Sequence, residues 1–98
     1  MTLPRRVVRV FPDWGHRWPL WESFTDKYAM EPSDFGVSEE LTETMRQWYD
    51  FWECHFDPFV GWDTPENREI SRVEGDRLVL LLKAEVGSFV DVVDERGD

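Results

Sequence analysis

Two helix signals in the middle of the chain constrain its fold more than any other feature. Ser38 precedes two glutamates, so it can cap a helix whose first turn carries the acids that a helix dipole favours. The sequence TPE, beginning at Thr64, has the order typical of N-cap, N1 and N2 residues, and Gly87 marks a stop. These signals predict helices over residues 38–55 and 65–86.

The first predicted helix is amphipathic. At about 100° per residue, its large apolar side chains gather on one side and its acids on the opposite side. The apolar set is Leu41, Met45, Trp48, Trp52 and Phe56. The acidic set is Glu39, Glu43, Asp50, Glu53 and Asp57. The acidic set is consistent with two roles: a surface that is only solvated, or a surface on which a partner docks.

Short β-branched segments flank the helices. Residues 5–11 and 88–94 have strand composition, whereas prolines and glycines divide residues 12–37 into a long structured loop. Two antiparallel helices between the strands would return the second strand in the opposite direction to the first. We therefore predict a single α+β domain over residues 1–98, with both helices packed on a small antiparallel sheet formed by the terminal strands.

A sheet of two strands is marginal in water and exposes both of its edges. Three arrangements complete it: residues 20–31 add a short strand, two chains join edge to edge, or a strand of a partner docks there. Among these, the sequence analysis favours a homodimer through a strand edge.

The charge of the chain selects among partners. The net charge is -10, and residues 31–66 hold ten Asp or Glu against Arg46 alone. Repulsion between like charges argues against direct contact with nucleic acid or an anionic membrane and favours a basic protein partner. No apolar run approaches the roughly 20 residues of a membrane span, no signal peptide is evident, and Cys54 has no second cysteine to pair with. We expect a cytoplasmic protein.

Few residues suit catalysis or metal binding. His16, His55 and Cys54 are the only soft metal ligands, and none has a zinc-type spacing. The chain also lacks a nucleophile elbow, a phosphate loop and a dinucleotide glycine pattern. We assign no cofactor, no metal and no catalytic residue, and the sequence favours a protein that is not an enzyme.

The stretch DWGHRWPLWE, residues 13–22, contains three of the six tryptophans. Trp14, Trp18 and Trp21 have helical spacing, but Gly15 and Pro19 oppose a continuous helix. We expect a folded loop to place these rings over the core, because buried aromatic rings give a short chain enough apolar area. A stacking site for a small ligand and an anchor for a protein partner are the alternatives.

This stretch, together with GWDTPE at residues 61–66, resembles a set of short, acidic, uncharacterised proteins of actinobacteria. The resemblance covers most of the chain. It implies no known activity.

The sequence thus predicts a small acidic module that binds proteins, in its sharpest form an inhibitor or immunity-like protein covering a basic partner. The predicted contact residues are Trp14 and Trp21 as anchors, with Glu39, Glu43, Asp50 and Glu53 steering the encounter. The alternative is a small-ligand binder, or a minor enzyme, with a pocket between residues 13–22 and 56–64. The predicted lining of that pocket is Trp14, Arg17, Trp18, Glu22, Trp62 and Asp63.

Overall fold

A computed structural model describes residues 5–97 of the chain. Its elements are β1 (Arg6–Val10), β2 (Leu20–Glu22), a 3-10 turn (Pro32–Phe35), α1 (Glu39–His55), β3 (Phe56–Asp57), β4 (Gly61–Trp62), α2 (Pro65–Val86) and β5 (Val90–Asp94). Two helices and small sheets form an α+β domain, which confirms the predicted fold class. No helix within this described part is long and apolar enough to cross a membrane.

The main sheet has the strand order β2-β1-β5, so the first strand of the chain lies at its centre. The terminal strands pair directly, as predicted, but β1 and β5 run parallel, with Val8 opposite Val92. The prediction of an antiparallel terminal pair was wrong. It counted only the two helices between the terminal strands, whereas the chain also reverses at β2 and again where residues 28–30 pair beside β2, before α1 begins.

β2 also completes the ribbon from within the chain, which was one of the three arrangements considered. It pairs antiparallel with β1, Arg9 lying opposite Trp21, and a single bridge joins Trp21 to Ala29. The loop predicted over residues 12–37 therefore contains a strand and a 3-10 turn.

Local caps explain where both helices begin. The Ser38 hydroxyl oxygen accepts a hydrogen bond from the Leu41 amide at 3.1 Å, and the Thr64 hydroxyl oxygen accepts one from the Asn67 amide at 3.0 Å. Ser38 also donates its amide and its hydroxyl to the carboxylate of Glu85, each at 2.7 Å. The start of α1 is thereby joined to the end of α2, which holds the two helices antiparallel.

The core lies between the sheet and the helix pair. Its fully buried side chains include Val8, Val10, Leu20, Met45, Leu78, Leu82, Val86 and Val90. On α2, the small residues Ser71 and Gly75 leave a hollow, and the Trp48 indole enters it and donates to the Ser71 carbonyl at 2.9 Å. The hollow also holds the guanidinium of Arg96.

The opposite side of α2 is unusually apolar for an exposed surface. Leu80 is 68% exposed and Leu81 37%. Ile70 and Val73, on the same side, are each 48% exposed. We call Ile70, Val73, Leu80 and Leu81 the outer stripe of α2.

Candidate functional site

The three tryptophans of the loop have three different environments. Trp21 is 8% exposed, stacks on Phe11 at 5.0 Å and donates its indole N–H to the Phe11 carbonyl at 2.9 Å. Trp18 is half-buried and packs against the core. Trp14 is 40% exposed. The expectation of rings packed over the core holds for Trp21 and Trp18, and Trp14 is the ring that meets solvent.

A tight turn carries Trp14 to the surface. Asp13 bridges to His16 across the turn, and Gly15 between them has a φ of 90°, a conformation in which glycine avoids the strain of a side chain. The hydroxyl of Tyr49 on α1 donates to the Asp13 carbonyl at 2.9 Å. Burial, followed by the negative charge of nearby Glu53, raises the pKa of Tyr49, so the hydroxyl stays protonated as a donor. The turn is thereby held against α1.

Aromatic rings continue from Trp14 in a row. The Trp14 ring lies 4.7 Å from that of Trp52 near the end of α1, and Trp52 stacks on Phe56 at 5.3 Å. Phe56 in turn meets the edge of Trp62 at 5.6 Å. These four rings join the turn, α1 and the β3–β4 hairpin at one end of the molecule.

Beside this row lies a cleft of about 420 Å³, which we call the aromatic cleft. Its lining includes Trp14, Trp48, Trp52, Phe56, Trp62, Asp13 and Arg96. Arg96 binds Asp94 at 2.8 Å and also pairs with Asp76, and its side chain is only 10% exposed. The positive charge in the cleft is thus compensated within the chain. Arg96 was not among the residues predicted for a site, although an arginine two residues after an aspartate hints at this contact.

The acids predicted to meet a partner follow one side of α1. Glu39 and Glu53 are exposed, whereas Glu43 and Asp50 share Arg46, whose guanidinium lies 2.9 Å from Asp50. The hydrogen bond from Arg46 lowers the pKa of Glu43. All four carboxylates are therefore available as surface charges, two of them partly neutralised.

The acidic side of α1 adjoins the Trp14 turn. At about 100° per residue, Tyr49 lies between the buried face of α1 and the positions of Asp50 and Glu53. Since Tyr49 binds the carbonyl of Asp13, the Trp14 turn lies beside the C-terminal part of this acidic side, and Glu39 and Glu43 continue it along α1. We call this the acidic aromatic surface.

The hairpin beside the cleft adds exposed apolar side chains that the sequence analysis did not single out. Phe59 is 94% exposed and Val60 85% at the tip between β3 and β4. The sequence signal for this exposed patch is a pair of consecutive apolar residues within a short turn, because the tip of a turn cannot bury both.

The alternative pocket predicted from sequence is only partly assembled. Trp14 and Trp62 line the aromatic cleft. Glu22 does not, since it is buried and binds the guanidinium of Arg6 through two hydrogen bonds of 3.0 and 2.7 Å. The remaining predicted residues, Arg17, Trp18 and Asp63, lie outside the cleft lining.

Asp63 belongs to a small polar cluster at the start of α2. Its carboxylate lies 2.7 Å from His55 Nδ1 and accepts a hydrogen bond from Asn67 at 3.1 Å. The hydrogen bond with His55 is the main cause that lowers the pKa of Asp63. Neighbouring Cys54 is exposed. Among residues 5–97, no three His, Cys, Asp or Glu side chains are grouped to hold a metal ion.

Comparison with known proteins gives the family. The sequence model of a family described as Serratia CdiI immunity protein-like matches residues 6–93. The chain belongs to this family. The match extends from the start of β1 almost to the end of β5, so it includes all the residues that line the aromatic cleft except Arg96 and Gly97. No curated protein matches the chain. The resemblance to short actinobacterial proteins stays a prediction.

Proposed function

We propose that this chain neutralises a basic toxin protein by covering it with the acidic aromatic surface. The observation that carries the proposal is membership of the immunity-like family over residues 6–93, because immunity proteins act by binding a partner toxin. The net charge of -10 supports a basic partner, since opposite charge speeds encounter and orients the two proteins. Neither step requires chemistry by the chain itself.

Steering and anchoring fall to different residues. Glu39, Glu43, Asp50 and Glu53 attract the toxin along α1, at long range and in a salt-dependent manner. Trp14 then supplies buried contact area, as a rigid aromatic side chain does at the centre of many interfaces. Trp21 has no part in this, because its ring is already enclosed by its own chain.

The aromatic cleft suits one class of toxin side chain. Several ring faces and the carboxylate of Asp13 favour the guanidinium of an arginine or the ammonium of a lysine, which aromatic faces attract. The charge of Arg96 opposes this weakly, because Asp94 and Asp76 compensate it. We therefore expect a basic side chain of the toxin to enter the cleft beside Trp14.

The decisive experiment needs a toxin partner, which we would seek among the proteins encoded by neighbouring genes. Cells expressing that toxin should grow when the chain is co-expressed and stop growing without it. In binding measurements, Trp14→Ala should weaken the complex by about 2 kcal/mol, roughly thirtyfold, as loss of an interface anchor does. Phe24→Ala is the matched control, since Phe24 is fully exposed in a turn outside this surface. Toxicity that persists despite the chain would refute the function, and equal effects of both variants would refute the surface.

Charge reversals test the steering separately. Glu53→Lys should lower the association rate at low salt more than Asp26→Lys, which makes the same change of charge in an exposed turn away from α1. The difference should fade at high salt, where exposed charges are screened. Equal rates for the two variants at low salt would show that α1 does not guide the encounter.

The cleft also favours a second candidate function, binding of a small ligand. Its volume of about 420 Å³ lies within the range of small-molecule sites. Titration with nucleotides, sugars and acyl compounds, followed by tryptophan fluorescence, separates the two. Saturable quenching that Trp14→Ala abolishes would favour the ligand.

A further inference from the structure

We propose that a second copy of this chain pairs with it through the outer stripe of α2. The stripe lies on the side of the helix opposite its buried positions Ser71, Gly75, Leu78 and Leu82. Its four members, Ile70, Val73, Leu80 and Leu81, are between 37% and 68% exposed. A helix that only covers a core carries polar residues on its outward side, so this stripe indicates a partner.

The sequence of α2 is complementary to itself. In an antiparallel pair related by a two-fold axis near Gly75–Arg77, Ile70 comes close to Leu81 of the second copy and Val73 comes close to its Leu80. The same axis brings Glu74 opposite Arg77. The segment of α2 from Ile70 to Leu81 is about 17 Å long at the rise of an α-helix, which is three turns. The paired segments would thus share an apolar contact of this length, with one Glu74–Arg77 ion pair on each side of the axis.

Charge favours a second copy over a basic toxin at this face. Residues 65–86 carry five acids and four bases, so α2 is nearly neutral within a chain of net charge -10. Two copies therefore meet here with less repulsion than elsewhere. Within one chain, Glu74 and Arg77 are 3.9 Å apart, so their attraction is weak and each can bind the second copy more closely.

The strand edges are poorer places for self-association, although the sequence analysis favoured them. β2 has three residues, and Ala29 bridges to its middle residue Trp21. The other edge strand, β5, carries Asp91 and Asp94, and charged residues protect an edge strand from pairing. On the helical face, the charges of Glu74 and Arg77 are of opposite sign and can pair across the two-fold axis.

This inference goes beyond the proposed function and needs no toxin. The outer stripe belongs to α2, whereas the acidic aromatic surface is formed by α1 and the Trp14 turn. A dimer would consequently present two toxin-binding surfaces.

Sedimentation equilibrium of the purified chain over a range of concentrations tests the pairing. We expect a reversible dimer of twice the 11.7 kDa chain mass. Leu80→Glu should raise the dimer dissociation constant at least about tenfold, because each dimer loses two buried leucines and gains two carboxylates. Val60→Glu is the control, as it makes the same kind of change at an 85% exposed hairpin position.

A charge swap tests the register. Glu74→Arg and Arg77→Glu should each weaken the dimer, and the double variant should restore it, because the swapped residues face each other again across the axis. Far-UV circular dichroism verifies that each variant is folded. A wild-type mass of 11.7 kDa at every concentration, equal effects of Leu80→Glu and Val60→Glu, or a double variant no tighter than the single variants would each overturn the proposal.

Discussion

Gly75 offers a sharp test of how the C-terminal segment packs on α2. A Cβ atom at this position would lie 2.0 Å from Nη1 of Arg96 and 3.1 Å from Nε1 of Trp48. The guanidinium would have to move, and Arg96 would lose its pairing with Asp76 and its hydrogen bond to the Arg72 carbonyl. Gly75→Ala thus has two opposite effects on stability: the clash with Arg96 lowers it, and the better helix propensity of alanine raises it.

The two effects have similar size and opposite sign. Alanine in place of a helical glycine stabilises by about 1 kcal/mol, whereas displacing the guanidinium costs roughly 1–2 kcal/mol, a range kept low because its acid partners are partly exposed. We expect Gly75→Ala to leave wild-type stability unchanged or lower it by about 1 kcal/mol. In an Arg96→Ala background the same change should stabilise by up to about 1 kcal/mol.

A double-mutant cycle measures the difference directly. Urea unfolding followed by tryptophan fluorescence gives the free energy of unfolding of the four proteins, with equal m values showing that the transition is comparable. The expected coupling between Gly75 and Arg96 is about 1–2 kcal/mol. Equal stabilisation by Gly75→Ala in both backgrounds would show that Arg96 does not occupy this space and would refute the reasoning.

Three further predictions concern other contacts. Glu22→Ala should lower the free energy of unfolding by about 1–2 kcal/mol in urea unfolding, less than for a fully buried pair, because its arginine partner is still over a third exposed. Thermal unfolding should show a loss of about 3–5 kcal/mol for Trp21→Ala but only about 1 kcal/mol for Trp14→Ala, whose ring is partly solvated. A hydrogen bond from Arg96 lowers the pKa of Asp94 below 3.8, so its stabilisation is present above that pH and is lost as pH falls through the folded-state pKa. Below about pH 4, the free energy of unfolding should therefore fall less steeply with decreasing pH in Asp94→Asn than in the wild type. Equal slopes for the two proteins would contradict this.

The helices follow from local chemistry, which is why the sequence predicts them well. Ser38 and Thr64 cap the backbone three residues ahead, so each helix start depends on a few neighbouring residues. The immunity-like function was predicted from charge and size, and the family match supports it at that coarse level. The basic partner and the contact residues stay predictions.

The sheet and the cleft depend on contacts that sequence patterns do not encode. The direction of β5 depends on chain reversals at and beside Leu20–Glu22, and a strand of three residues is too short to give a periodic signal. The roles of Trp14 and Trp21 differ because one lies at the tip of a turn and the other on that strand, although their sequence surroundings look alike. Arg96 enters the cleft only because the chain end returns to α2.

The parallel pairing of β1 with β5 also affects how the chain acquires its structure. Arg6 pairs with Val90, so the central strand receives its second neighbour only after the more than 80 residues between them have been synthesised. Contacts this distant in sequence slow folding, because a long loop must close before they contribute. Until β5 is made, β1 has only β2 beside it, and a chain shortened before β5 cannot complete the sheet.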